Sequence, residues 1–163
     1  EDLAESYELV VKDPATQCER FIRESLSIKK RMIEKDEFDE GERKIFNYGH
    51  TFGHAIEAVS RYKVSHGNAV TLGMDIANYI SLQKGYIDRE TYDLLFQLIR
   101  KNIPEYCLEE DKLEEYFGFL SKDKKNIDNS LVCILPYGIG NMKTTVVDDV
   151  DSVKNIIREY FKK

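Results

Sequence analysis

A chain of 163 residues with 42% apolar and 33% charged residues falls among folded globular proteins and is long enough for one domain with its own core. Its net charge of −6 argues against nucleic acid or an anionic membrane as partner of the whole surface. No apolar run reaches the length of a membrane span, and nothing at the start resembles a signal peptide.

Cys18, Cys107 and Cys133 are odd in number and lack CxxC pairing. They read as free thiols packed as small hydrophobes in a reducing, cytoplasmic protein. Glu1 stands where an initiator methionine is expected and the helical pattern begins at once, which predicts a piece of a longer chain.

Leu3, Tyr7, Val10 and Val11 predict a short amphipathic helix ending near Asp13-Pro14. Proline is tolerated in a first turn, where its missing N–H costs nothing, so a second helix restarts there. Phe21, Ile22, Leu26, Ile28, Met32 and Ile33 carry it to about Lys35, with Lys29, Lys30 and Arg31 on it. After a charged turn, Asp36 to Glu42, a third helix is predicted over Arg43 to Tyr62.

Ser65 then serves as N-cap of a helix running to Gly85, a natural C-terminal stop. Asp88 caps a further helix with Leu94, Leu95, Leu98 and Ile99 inward, ended by Pro104. Leu113, Tyr116, Phe117 and Leu120 make another. The apolar run Leu131–Leu135, the turn residues 137–141 and the β-rich run Met142–Val147 predict a hairpin. A last helix starts at Asp149 or Asp151, with Val153, Ile156, Ile157, Tyr160 and Phe161 inward. The fold class expected is mainly α: a multi-helix domain with one small β-hairpin near the C-terminus.

All three histidines, His50, His54 and His66, lie within seventeen positions. At about 100° per residue, Arg43, Asn47, His50, His54 and Arg61 fall within roughly 40° of one another on the predicted third helix. Ile45, Tyr48, Phe52, Ile56 and Val59 take the opposite face. Gly49 and Gly53 lie on the flank between, where glycine costs about 1 kcal/mol against alanine, so another backbone is expected close by.

His50 and His54, at i and i+4, have the spacing of paired metal ligands, and His66 follows after a turn that can bring it back. Any one of them alone reads as an exposed or capping histidine; together, with Arg and Asn on the stripe, they favour a metal. Thr51 follows His50, so the HExxH metalloprotease pattern is excluded. Arg43 and Asn47, joined by Lys29, suit a phosphate or carboxylate substrate. Arg43 alone reads as a solvated helix face. Lys122, Lys124 and Lys125 alone read as a solvated loop.

The pattern Arg43-x3-Asn47-x-Gly49-His50-Thr51-Phe52-Gly53-His54-Ala55-Ile56-Glu57, then His66-Gly67-x-Ala69-Val70-x2-Gly73-Met74, resembles the C-terminal domain of 3-dehydroquinate synthase and its sugar-phosphate cyclase relatives. Ile28-Lys29, Asp36-Glu37 and Gly41 before it are similar to the family's approach to the histidine motif. Asp123-Lys124-Lys125, Leu135-Pro136 and Ile139-Gly140 after it resemble its lysine loop and hairpin.

The resemblance implies a lyase of the shikimate pathway and aromatic amino acid biosynthesis. It converts 3-deoxy-arabino-heptulosonate 7-phosphate to 3-dehydroquinate through NAD-dependent oxidation, phosphate elimination, re-reduction, ring opening and aldol closure. By position it implies His50 and His66 as metal ligands, to Zn2+ or another divalent ion such as Co2+. It implies His54, Lys29 and Asn47 as catalytic groups. Arg43, Asn47, His54, Lys124 and Lys125 are implied to bind the phosphorylated sugar-acid substrate.

It further implies that residues 1–163 are a single helical domain, the C-terminal part of a cytoplasmic, commonly homodimeric enzyme. NAD would be held mainly by an N-terminal domain absent here, leaving no cofactor-binding residue to assign and the isolated chain inactive. The family's glutamate ligand is expected upstream, beyond Glu5, which lies too close to replace it. Asn68 stands where the family has glutamate after His-Gly. That position is N3 of a helix capped by Ser65, so the change touches a capping box and leaves the substrate open. Alternatives are a related cyclase, a glycerol-dehydrogenase-type metal-dependent dehydrogenase, and a non-catalytic helical domain with a structural metal.

Overall fold

A computed structural model of the chain describes residues 2–122 and 130–162. It divides into two compact units, Glu1–Lys44 and Ile45–Lys163.

The first unit contains α1 (Asp2–Lys12) and α2 (Pro14–Lys35), with Pro14 in the first turn of α2 as its missing N–H dictates. No residue of α2 is buried, and Ile22, Leu26 and Ile28 are 56%, 61% and 48% exposed. Its surface carries the i,i+4 pairs Arg20–Glu24 at 2.9 Å and Arg23–Glu19 at 2.7 Å. Exposed pairs of this kind add only about 0.3–0.5 kcal/mol each.

Beyond α2, Asp36 organises the turn. Its carboxylate accepts the backbone N–H of Glu40 at 3.1 Å and those of Gly41 and Arg43 at 2.9 Å. These bonds, that of Arg43 first among them, hold the carboxyl below its ordinary range.

The second unit contains α3 (His50–Val59), α4 (His66–Gln83), α5 (Arg89–Ile99), α6 (Leu113–Ser121), β1 (Leu131–Pro136), β2 (Met142–Val147) and α7 (Val150–Phe161). Its core joins Phe52 and Ile56 of α3 to Leu72, Ile76 and Ile80 of α4. Tyr116 and Phe117 of α6, Leu131 and Leu135 of β1, and Val153 and Ile157 of α7 complete it. The hairpin is antiparallel, with Leu131 opposite Val147 and Pro136 opposite Met142. Its first strand is buried almost throughout and its second largely exposed.

Polar groups tie this core together at named points. The Tyr160 hydroxyl donates to the buried Asp75 at 2.6 Å, and that of Tyr48 to the buried Asn78. Burial pushes both phenols above their ordinary range.

Most caps match the expectation. Asp88 accepts from Thr91 N at 2.8 Å, Asp149 from Ser152 N at 3.0 Å, and Gly85 takes a left-handed φ of +70° behind α4. Four expectations change. The predicted helix over Arg43 to Tyr62 is two elements, a 3-10 turn over Glu42–Asn47 and then α3. Gly49 stands between them at φ +77°, a left-handed residue that interrupts helical hydrogen bonding. At its other end α3 stops at Val59, and Arg61 and Tyr62 adopt positive φ.

Ser65 precedes α4 in extended conformation, but its side chain makes no cap bond. On α5 the inward residues are Tyr92, Leu95 and Ile99, whereas Leu94 and Leu98 are exposed. The run of adjacent apolar residues left the stripe's phase open, and the buried Tyr92 set it. Of the cysteines, Cys133 is packed in the core and its thiol is pushed up to about 12 by burial, but Cys107 is exposed.

Candidate metal and substrate site

Three glycines bring α3 against α4. A Cβ at Gly49 would stand 2.5 Å from Val70 O, and one at Gly53 would stand 2.8 Å from Ala69 O. One at Gly73 would meet Gly49 O and stand 2.6 Å from Gly53 N. Real Cβ atoms do not approach this closely, so the two backbones can lie this near only with glycine at all three positions.

This approach sets the geometry of the histidines. His50 opens α3, His54 lies one turn on, and His66 is the first residue of α4. Their ring centroids form a near-equilateral triangle: 5.4 Å from His50 to His54, 5.5 Å from His50 to His66, and 5.8 Å from His54 to His66. The sequence-predicted convergence of all three is therefore present.

Their ring nitrogens are not equivalent. His50 Nδ1 lies 3.2 Å from Tyr48 O, and His66 Nδ1 lies 3.3 Å from each carboxylate oxygen of Glu57. Among the described residues, His54 touches the other two rings and makes no hydrogen bond. When an acceptor faces Nδ1, that nitrogen carries the proton and the lone pair is at Nε2, as in metal-binding histidines. Sequence reasoning passed over Glu57. Its place at i+3 from His54 and i+7 from His50 was the available signal, since both steps return to one helix face. His54, Glu57 and His66 each also offer a ligand atom within 4.8 Å of the others.

The remaining candidates are placed as follows. Asn47 is half-buried at the end of the 3-10 turn, two residues before the left-handed Gly49, so it shares no α-helical stripe with the histidines. Lys29 and Arg43 belong to the first unit, Lys29 exposed on α2 and Arg43 half-buried. There Arg43 Nη1 donates to Glu37 O at 2.8 Å, so part of its guanidinium holds its own turn. Arg61, placed on the stripe by the helical angle, lies beyond the end of α3 and pairs with Glu115 at 2.7 Å. Lys124 and Lys125 lie outside the described residues. Asn68 is exposed in the first turn of α4.

A family model described as 3-dehydroquinate synthase C-terminal matches residues 1–126. A 3-dehydroquinate synthase of Sulfurovum sp. (strain NBC37-1) is 35% identical over 143 residues, which is 85% of this chain and 40% of that protein. One from Helicobacter hepaticus (strain ATCC 51449 / 3B1) is 38% identical over 125 residues, 76% of this chain and 35% of that protein. Among solved structures, 2-deoxy-scyllo-inosose synthase complexed with carbaglucose-6-phosphate, NAD+ and Co2+ superposes with a TM-score of 0.74 at 28% identity. That match covers 88% of this chain and 41% of the other. The chain thus spans about two-fifths of the length of the curated relatives it matches.

Proposed function

Since the chain belongs to the 3-dehydroquinate synthase C-terminal family, we propose that it supplies the metal- and substrate-binding part of a 3-dehydroquinate synthase. The reaction is cyclisation of 3-deoxy-arabino-heptulosonate 7-phosphate with loss of phosphate. The observation that carries this reading is the histidine triangle, in which two rings have an acceptor on Nδ1 and so offer Nε2. Such a donor set suits a divalent metal, Zn2+ or Co2+, held by His50 and His66 together with a ligand outside this chain. When bound, the ion polarises the substrate hydroxyls and favours loss of hydride and proton.

The chain's own groups bind and orient. His54 is exposed and has no hydrogen-bond partner among the described residues, so it is available to a substrate hydroxyl. Asn47, Arg43, Lys29 and the Lys124/Lys125 pair supply an amide and cations for phosphate and carboxylate. Held in place, a dianionic substrate can supply much of its own base catalysis. NAD belongs to the rest of the polypeptide, consistent with the chain covering 40% of its relative. The enzyme works in the cytoplasm as a homodimer, and the whole chain acts as one C-terminal domain.

A second reading, a related cyclase acting on another sugar phosphate, is favoured by the likeness to 2-deoxy-scyllo-inosose synthase and by Asn68. One experiment addresses both. In the complete polypeptide, His50→Ala is expected to remove bound metal and phosphate release from the heptulosonate together. Unchanged metal content would overturn the ligand assignment. Phosphate release from glucose 6-phosphate and none from the heptulosonate would move the function to the second reading. Release by this chain alone would overturn the division of labour.

A further inference from the structure

Glu57 has no role in the reading above, yet its carboxylate is hydrogen-bonded to the ring of His66. We propose that Glu57 is the positioning residue for His66: it accepts the hydrogen bond from Nδ1–H, fixes the tautomer and presents Nε2 to the metal. The proposal rests on His66 being a metal ligand.

Three observations support it. First, the His66 side chain is 59% exposed and that of Glu57 only 13%, so a largely exposed ring leans on a largely buried carboxylate. A surface imidazole at a helix start has several rotamers, and a partner on the neighbouring helix selects one. Second, both carboxylate oxygens stand 3.3 Å from the same nitrogen, so the carboxylate straddles the Nδ1 proton. Third, His50 repeats the pattern with a different acceptor, Tyr48 O at 3.2 Å. The two rings assigned to the metal both have an acceptor on Nδ1, and His54, assigned to substrate, does not.

The competing arrangement makes Glu57 a ligand itself, beside His54 and His66, since one atom from each lies within 4.8 Å of the others. It would bypass His50, whose Nδ1 is already turned to the backbone. Glu57 also places negative charge near the start of α4, where Ser65 makes no side-chain cap bond, and so helps fold stability too. The experiment must separate these roles.

It is a Co2+ titration of the complete polypeptide and its Glu57→Ala, Glu57→Gln and His66→Ala variants, read by affinity and by the visible absorption of the bound ion. Glu57→Ala is expected to bind Co2+ about 10–100-fold more weakly, the usual loss for an outer carboxylate on a ligating histidine. At saturation its spectrum should match the parent's, because the donor set is unchanged. Glu57→Gln keeps an acceptor for the Nδ1 proton and should fall between the two. In the His66→Ala background, adding Glu57→Ala should cost nothing further.

Parent-like affinity in both Glu57 variants would overturn the proposal, as would a changed spectrum, which makes Glu57 a ligand. Parent-like affinity in His66→Ala would instead sink the ligand reading on which the proposal stands. Should Glu57→Ala fail to fold, Glu57→Gln and its spectrum still decide.

Discussion

The two units are built by opposite means. In Ile45–Lys163, apolar side chains from four helices and a strand close over one another, and residues such as Ile56, Ile76 and Ile80 lose all contact with solvent. In Glu1–Lys44, α2 has no buried residue, and order comes from helix propensity, surface ion pairs and the Asp36 turn. Burial of one aliphatic side chain is worth about 1.5–3 kcal/mol, several times an exposed ion pair. The second unit therefore carries its own stability, whereas the first has an apolar stripe that it does not cover.

The sharpest way to break this contrast is truncation of one aliphatic side chain in each unit. Ile80→Ala, at a fully buried position, is expected to lower unfolding free energy by about 4 kcal/mol. Leu26→Ala, at a position 61% exposed, should change it by less than about 0.5 kcal/mol. Denaturant midpoints check both, and equal losses would show that the exposed stripe is covered in solution.

Next in size is the glycine contact between α3 and α4. Gly73→Ala should cost about 3 kcal/mol by overpacking, because its new methyl meets the backbone of Gly49 and Gly53. Gly118→Ala, also in a helix but with open space at the Cβ position, should instead stabilise by about 0.5–1 kcal/mol. Opposite signs in thermal melts would confirm that close approach, and not glycine content, limits the second unit.

The smallest effect belongs to the Asp36 turn. Its folded pKa lies below the unfolded value, so the turn's contribution is complete above that value and is lost as pH falls through the folded one. The amide signals of Gly41 and Arg43 should therefore titrate with a midpoint below about 3.9, the ordinary aspartate value. A midpoint at or above it would mean that the carboxylate does not hold these N–H groups.

Legibility followed the range of the signal. The hairpin, α6, α7, the start at Asp88 and the stop at Gly85 were readable because local periodicity and turn chemistry specify them. Close backbone approach at Gly49 and Gly53 was readable too, since nothing local rewards glycine there. The break at Gly49 was not, because glycine serves a close approach and a left-handed turn alike. Helical angles therefore joined Arg43 and Asn47 to a stripe that stops short of them. Glu57 was hidden for a different reason. A carboxylate on a helix face reads as solvated until a residue from the next helix is seen beside it.

The glycines at 49, 53 and 73 also act as a gauge. They fix the spacing of the two helices that carry the imidazoles, and so the reach of any ion or hydroxyl between those rings. A methyl group added there alters chemistry and folding in a single stroke. Changes that a stability screen would file as core defects are, in this protein, also changes of calibration.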